Sequence, residues 1–189
     1  FLNNLKNIVS DLDKDKSIRV LIFKSNLNHF SAGADLKERK IISKDDAGSA
    51  LDNFNSCFNT IEKFSKPTIC LINGYCLGGG AELSLACDIR VGADDCLVGF
   101  PEVSIGIIPG AGGTQRLPKV IGFSNSKYWI FSAKKFNAKE ALDFGFLNFV
   151  TDNDNLLQCG IDIACDIINN APIAVSSSKK SINDGYNTS

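Results

Sequence analysis

Two carboxylates with apolar flanks are the residues of this chain best placed to do chemistry. Glu82 follows three glycines in Gly74-Tyr-Cys-Leu-Gly-Gly-Gly-Ala-Glu82 and precedes the largely apolar run Leu83–Cys87. Glu102 lies twenty residues on, in Gly99-Phe-Pro-Glu102-Val. A carboxylate in apolar surroundings tends toward a raised pKa. Two such groups facing one cleft can divide general-acid and general-base work. Spacing alone does not show that they converge, and Glu82 can equally be a first-turn acid favoured by the helix dipole.

The glycines around them add a second kind of chemistry. Gly78, Gly79 and Gly80 stand between a strand-like and a helix-like segment. Such a turn lets a ligand approach the backbone closely. It also leaves N–H groups open at a helix start, where a phosphate or a developing oxyanion is stabilised. No Gly-Lys-Ser/Thr follows, so this is not a phosphate loop of the Walker type, and GxGxxG spacing is absent. A tight packing turn would use the same residues. Phe30-Ser-Ala-Gly-Ala-Asp35 is a second small-residue loop that could offer a backbone N–H to the same ligand, or simply turn the chain, with Asp35 capping a helix at Leu36.

The elements that must position these groups read as alternating strands and helices. Leu2, Leu5, Ile8, Val9 and Leu12 recur at helical spacing, as do Leu51, Phe54, Phe58, Ile61 and Phe64. Arg19–Lys24, Thr68–Ile72, Ile89–Val91 and Leu97–Phe100 read as short buried strands. Gly110–Gly113 is another glycine turn before a helix. From Ser124 onward helical patterns dominate, broken by the strand-like Leu147–Val150 and by Pro172. The class is α/β. No internal repeat is apparent.

Composition bounds the partners. The 189 residues carry net charge −1, and 44% are hydrophobic, with a pI near 5.8. That argues against a surface built to hold nucleic acid. No apolar run reaches the roughly 20 residues of a membrane span. Seven cysteines without a CxxC pair, and the single histidine His29, argue against a zinc site and for buried free thiols. The chain begins at Phe1 and contains no Met, so residues are expected to be missing at its front and no targeting segment can be read from it.

Three motifs in fixed order carry a resemblance. They are Phe30-Ser-Ala-Gly-Ala-Asp-Leu36, Lys66-Pro-Thr-Ile followed by Asn73-Gly-Tyr-Cys-Leu-Gly-Gly-Gly-Ala-Glu-Leu83, and Phe100-Pro-Glu-Val followed by Gly106-Ile-Ile-Pro-Gly-Ala-Gly-Gly-Thr-Gln-Arg-Leu-Pro118. Together they resemble the enoyl-CoA hydratase/isomerase (crotonase) family over essentially the whole chain. The resemblance implies a ClpP/crotonase-like α/β spiral of ββα units with a helical C-terminal region. It divides the chain into a ββα core, residues 1–122, lacking its first strand, and a truncated helical region, residues 123–189. Phe1 would fall within the family's first helix, and Ser189 ahead of its last helices.

The resemblance also implies roles. The thioester oxygen would bind the amides of Ala32 and Gly79. Coenzyme A, part of the substrate rather than a separate cofactor, would lie along Ala32, Gly33, Ala34 and Asp35, with Lys37 either a phosphate partner or a solvated helix charge, and with Gly110 beside the reacting centre, a backbone turn, or both. Both family glutamates are present, as Glu82 and Glu102. That is the hydratase pattern, water addition across the 2,3 double bond of a 2-enoyl-CoA; isomerases usually keep one, and other CoA-enolate chemistry remains an alternative. Asp35-Leu-Lys-Glu-Arg39, Leu85-Ala-Cys-Asp-Ile-Arg-Val91, Phe131-Ser-Ala-Lys134 and Ala171-Pro-Ile-Ala-Val175 resemble the methylglutaconyl-CoA hydratase branch of leucine degradation. That branch implies a mitochondrial location, with the cytoplasm as alternative, and the family as a whole implies a homotrimer or homohexamer. One member type binds RNA through lysines on its first helix. Phe1–Ile8 carries Lys6 but Asn3 and Asn7, so a non-catalytic RNA-binding role is disfavoured.

Overall fold

The computed structural model describes residues 1–33 and 44–186. Ala34, Asp35 and Lys37, and the helix expected from Leu36, lie outside them. The chain runs through helix α1 (Leu2–Lys14), strand β1 (Leu21–Phe23), helix α2 (Lys44–Glu62), strands β2 (Thr68–Ile72) and β3 (Tyr75–Leu77), and helix α3 (Gly79–Leu85). Strands β4 (Ile89–Ala93) and β5 (Leu97–Gly99) follow, then a 3-10 turn (Pro101–Ile105) and helices α4 (Gly113–Ile121) and α5 (Phe123–Ser132). Strand β6 (Lys135–Asn137), helix α6 (Ala138–Asp143), strand β7 (Phe149–Thr151), and helices α7 (Leu156–Ile168) and α8 (Pro172–Tyr186) complete it.

The sequence β2–β3–α3 is repeated in geometry by β4–β5–α4. β2 pairs with β4 and β3 with β5, both in parallel. One sheet has the order β1-β2-β4-β7 and the other β3-β5-β6. These are the ββα units that the family resemblance implies. β6 and β7 lie in the stretch after residue 122 and complete both sheets, with β6 antiparallel to β5.

All five residues of β2 are buried, as expected of a parallel strand covered on both faces. Its side chains alternate between two clusters. Ile69 and Leu71 join Val91, Ala93 and Leu156 beneath α7, while Cys70 and Ile72 join the main core with Phe58, Ile61 and Phe100. Trp129 is stacked on Phe136 with centroids 4.1 Å apart, fixing α5 against β6. Five cysteines are buried and unbridged, as the apolar context predicts; Cys159 is half-buried and Cys165 is exposed.

Three-residue strands are where the sequence reading falls short. The sequence pattern places β3 within the glycine turn and β6 within a helical stretch. Neither is long enough to display a period of two. α2 also ends at Glu62, before Pro67, with Phe64 held by an N–H bond to Ile61 O of 3.1 Å.

Candidate active site

The loop that enters from β1 runs alongside β3. Ser31 bridges Cys76: its N–H donates to Tyr75 O at 2.9 Å and its carbonyl accepts from Leu77 N at 2.9 Å. This carries Ala32 and Gly33 to the β3–α3 turn. A Cβ at Gly33 would lie 3.5 Å from Gly79 N, and one at Gly80 would lie 2.6 Å from Ser31 O. The two glycine-containing segments are therefore in close backbone approach. Gly78 turns β3 into α3 with φ 54° and ψ −123°, a conformation that favours glycine. Gly79 is the first residue of α3, so its N–H has no acceptor within the helix.

Parallel pairing brings the acids together. Leu77 aligns with Gly99, and Gly78 N donates to Gly99 O at 3.0 Å. The chain leaving β5 therefore passes the glycine turn before reaching Glu102 on the 3-10 turn. Glu102 is 8% exposed, and its Oε1 lies 3.0 Å from the place a Cβ would occupy on Gly78. Glu82, on the fourth position of α3, is 3% exposed. Its Oε1 accepts from Gly113 N at 2.8 Å. Burial pushes the Glu82 carboxyl up to about 7, and the neighbouring Glu102 charge adds to this; the Gly113 and Ala111 amides and the Arg116 charge oppose it. The two acids are thus electrostatic neighbours at the glycine turn.

The family model for enoyl-CoA hydratase/isomerase matches residues 1–189. The chain belongs to the enoyl-CoA hydratase/isomerase family. It is 39% identical over 188 residues to a probable mitochondrial enoyl-CoA hydratase 2 of Arabidopsis thaliana, covering 99% of this chain and 62% of that protein. It is 40% identical over 186 residues to the mitochondrial methylglutaconyl-CoA hydratase of Homo sapiens, covering 96% and 55%. The crystal structure of an enoyl-CoA hydratase from Bacillus anthracis superposes with a TM-score of 0.96 at 39% identity, covering 100% of this chain and 73% of that one. The chain thus has the crotonase fold and spans about three-fifths of the length of the curated relatives it matches first.

Within this enoyl-CoA hydratase/isomerase fold, the expected site residues Ala32, Gly33, Gly79, Glu82 and Glu102 lie around one turn. Gly110 is half-buried on the loop before α4: its carbonyl accepts from Asn55 Nδ2 at 3.4 Å, and a Cβ there would lie 3.0 Å from Leu51 Cδ1. Ala34 and Asp35 lie outside the described residues. The sequence reading missed two groups near Glu82. Gly113 supplies the amide to its carboxylate. Arg116, 7% exposed, braces the loop by donating to Ala111 O at 3.1 Å, Asn59 Oδ1 at 2.6 Å and Glu62 Oε2 at 2.8 Å. The Gln115-Arg116 pair was visible in the third motif, but nothing in the sequence marks its guanidinium as buried.

A cavity of about 460 Å³ lies behind α3, lined in part by Leu85, Arg90, Arg116, Val175 and Lys179. Glu82 and Glu102 do not line it. Among the described residues, no group of His, Cys, Asp and Glu could hold a metal ion, and no helix is long and apolar enough to cross a membrane.

Proposed function

We propose that this chain carries the reacting centre of an acyl-CoA hydratase that adds water across the 2,3 double bond of a 2-enoyl-CoA. The observation that carries the reading is that two buried acids, Glu82 and Glu102, are electrostatic neighbours at the turn where Gly79 begins α3. Glu82, with its carboxyl near 7, is partly ionised at neutral pH and suited to take a proton from water. That water attacks C3, Glu102 delivers a proton to C2, and solvent restores both acids. One C–O and one C–H bond form as the carbon–carbon π bond is lost. The thioester oxygen gains negative charge during the attack and is met by the Ala32 and Gly79 amides. Such donors act most strongly in the transition state, and losing one costs roughly 10²–10³ in rate in a well-formed oxyanion hole.

Coenzyme A arrives as part of the substrate, along Ala32–Asp35 and near Gly110, and no other cofactor enters. The name of the human relative supports a branched substrate such as 3-methylglutaconyl-CoA, and the names of two relatives support a mitochondrial location. Phe123, Phe131 and Ile173 are exposed by 76%, 73% and 81%, which supports self-association as a trimer or hexamer. Purified full-length protein is assayed against a panel of 2-enoyl-CoA thioesters for hydration and for double-bond migration. Hydration lost in Glu82→Gln and Glu102→Gln, with acyl-CoA binding kept, is the expected result. Migration without hydration would replace this reading with an isomerase.

A further inference from the structure

The segment that carries the Ala32 amide is held by a side chain with no part in the mechanism above. Phe30 N donates to Asn73 O at 2.8 Å, yet the next amide, Ser31 N, donates to Tyr75 O at 2.9 Å. The register therefore skips one residue. The extra residue is Gly74, with φ 52°, whose carbonyl turns to Leu97 N at 2.9 Å. A bulge of this kind leaves a main-chain group out of the ladder. Here it is the Tyr75 N–H, and the imidazole of His29 takes it, accepting on Nδ1 at 3.2 Å. The ring also stacks on Tyr75, with centroids 4.5 Å apart at 30°. A Cβ at Gly74 would lie 2.4 Å from His29 Nδ1 and 2.4 Å from Asn28 O, so ring and bulge are in direct contact. Asn73 Nδ2 closes the start of the segment by donating to Leu27 O at 2.7 Å.

We propose that His29 is a positioning residue for the oxyanion site. By completing the bulge at Gly74 it fixes where Ser31, Ala32 and Gly33 pass the α3 turn, and hence the separation of the Ala32 and Gly79 amides. The assignment of those two amides rests on the hydratase reading; the mechanical role of His29 does not. Its side chain is exposed, so substitution leaves the core intact.

Three variants of the full-length protein separate the possibilities. His29→Asn places a carbonyl oxygen where Nδ1 stands. His29→Gln carries its amide one bond further, and His29→Ala has no acceptor. Amide hydrogen exchange is followed across residues 30–33, together with kcat and KM for a 2-enoyl-CoA that the wild type hydrates. In the Ala and Gln variants exchange accelerates severalfold. kcat falls about fivefold, the worth of one net hydrogen bond, while KM stays nearly constant because the contact matters in the transition state. The Asn variant restores both. Unchanged exchange and kcat in the Ala and Gln variants, or an Asn variant as impaired as Ala, overturns the proposal. If the wild type hydrates nothing, the hydratase reading fails, and the exchange measurements still decide the role of His29.

Discussion

The two ββα units follow one plan and end differently. In the first, β3 passes through Gly78 directly into α3, so the helix begins at the site and its first amide is open. In the second, residues 100–112 intervene between β5 and α4. That insertion contains the 3-10 turn with Glu102 and the glycine loop, and it moves the helix start away from the turn. The first amide of α4, Gly113 N, then points at Glu82 rather than at open space. The same backbone device, an unsatisfied helix N-terminus, faces the proposed substrate oxygen in one unit and holds an acid in the other. Glu82 of the first unit and Glu102 of the second are electrostatic neighbours.

The sharpest way to break this pairing is to remove either acid. Glu82→Gln and Glu102→Gln keep shape and hydrogen-bonding capacity but lose the proton chemistry. Each is expected to lower kcat by roughly 10²–10⁴, the usual worth of a general acid or base, measured as hydration of a 2-enoyl-CoA by the full-length protein. If only one variant loses activity, the two units are not partners in the reaction.

The first of these variants also has a stability signature. The Glu82 carboxyl is raised by burial from 4.5 to about 7 in the folded chain. Between those values the folded state binds more protons than the unfolded one, so stability falls as pH rises. At about 1.4 kcal/mol per pH unit the full cost is about 3 kcal/mol above pH 7. Glu82→Gln does not titrate and avoids that cost. Urea unfolding is expected to find it more stable than wild type by about 1–3 kcal/mol at pH 8, with the difference vanishing near pH 4. An advantage that persists at pH 4 would show that packing, not charge, is responsible.

A smaller effect tests the close approach in the first unit alone. Gly80 and Thr114 are both second residues of their helices. Alanine is ordinarily favoured over glycine inside a helix by about 1 kcal/mol. A Cβ at Gly80, however, would lie 2.6 Å from Ser31 O and 2.6 Å from Ser31 Cβ. Gly80→Ala is therefore expected to destabilise by about 1–3 kcal/mol, the usual range for overpacking, and Thr114→Ala to change stability by less than about 0.5 kcal/mol. Thermal unfolding of the two variants makes the comparison.

How much of this was written in the sequence differs between the units. Glu82, Glu102 and the glycines stand out because glycine triplets and acids in apolar runs are locally unusual. The equivalence of the units does not stand out. Thr68-Ile-Cys-Leu-Ile72 and Ile89-Arg-Val-Gly-Ala93 share a register and not a pattern, and strands of three residues such as β3 and β6 show no period. The hydrogen bond from Gly113 to Glu82 spans 31 residues and depends on two helices meeting. Arg90 and Arg116 are both buried, against the default that places arginine on the surface. Each is buried among acceptors: Phe146 O and Cys87 O for Arg90, and Ala111 O, Asn59 Oδ1 and the Glu62 carboxylate for Arg116.

Arg116 gives the smallest effect and the most specific one. Its guanidinium bonds Glu62, Asn59 and Ala111, yet its positive charge favours the ionised form of Glu82, and its bond to Ala111 O steadies the loop that presents Gly113. Arg116→Gln removes the charge while leaving an amide able to reach Asn59 or Ala111. Without that charge the Glu82 carboxyl rises further, and the acid limb of the rate–pH profile moves to higher pH. At pH 6, where activity depends on the ionised fraction, turnover falls by about twofold relative to wild type; well above the limb the two converge. Arg116→Lys keeps the charge but not the planar fork that binds Glu62 and Asn59 together. It is expected to hold the limb in place while lowering activity equally at every pH. If both variants shift the limb alike, Arg116 acts on Glu82 through the loop and not through its charge.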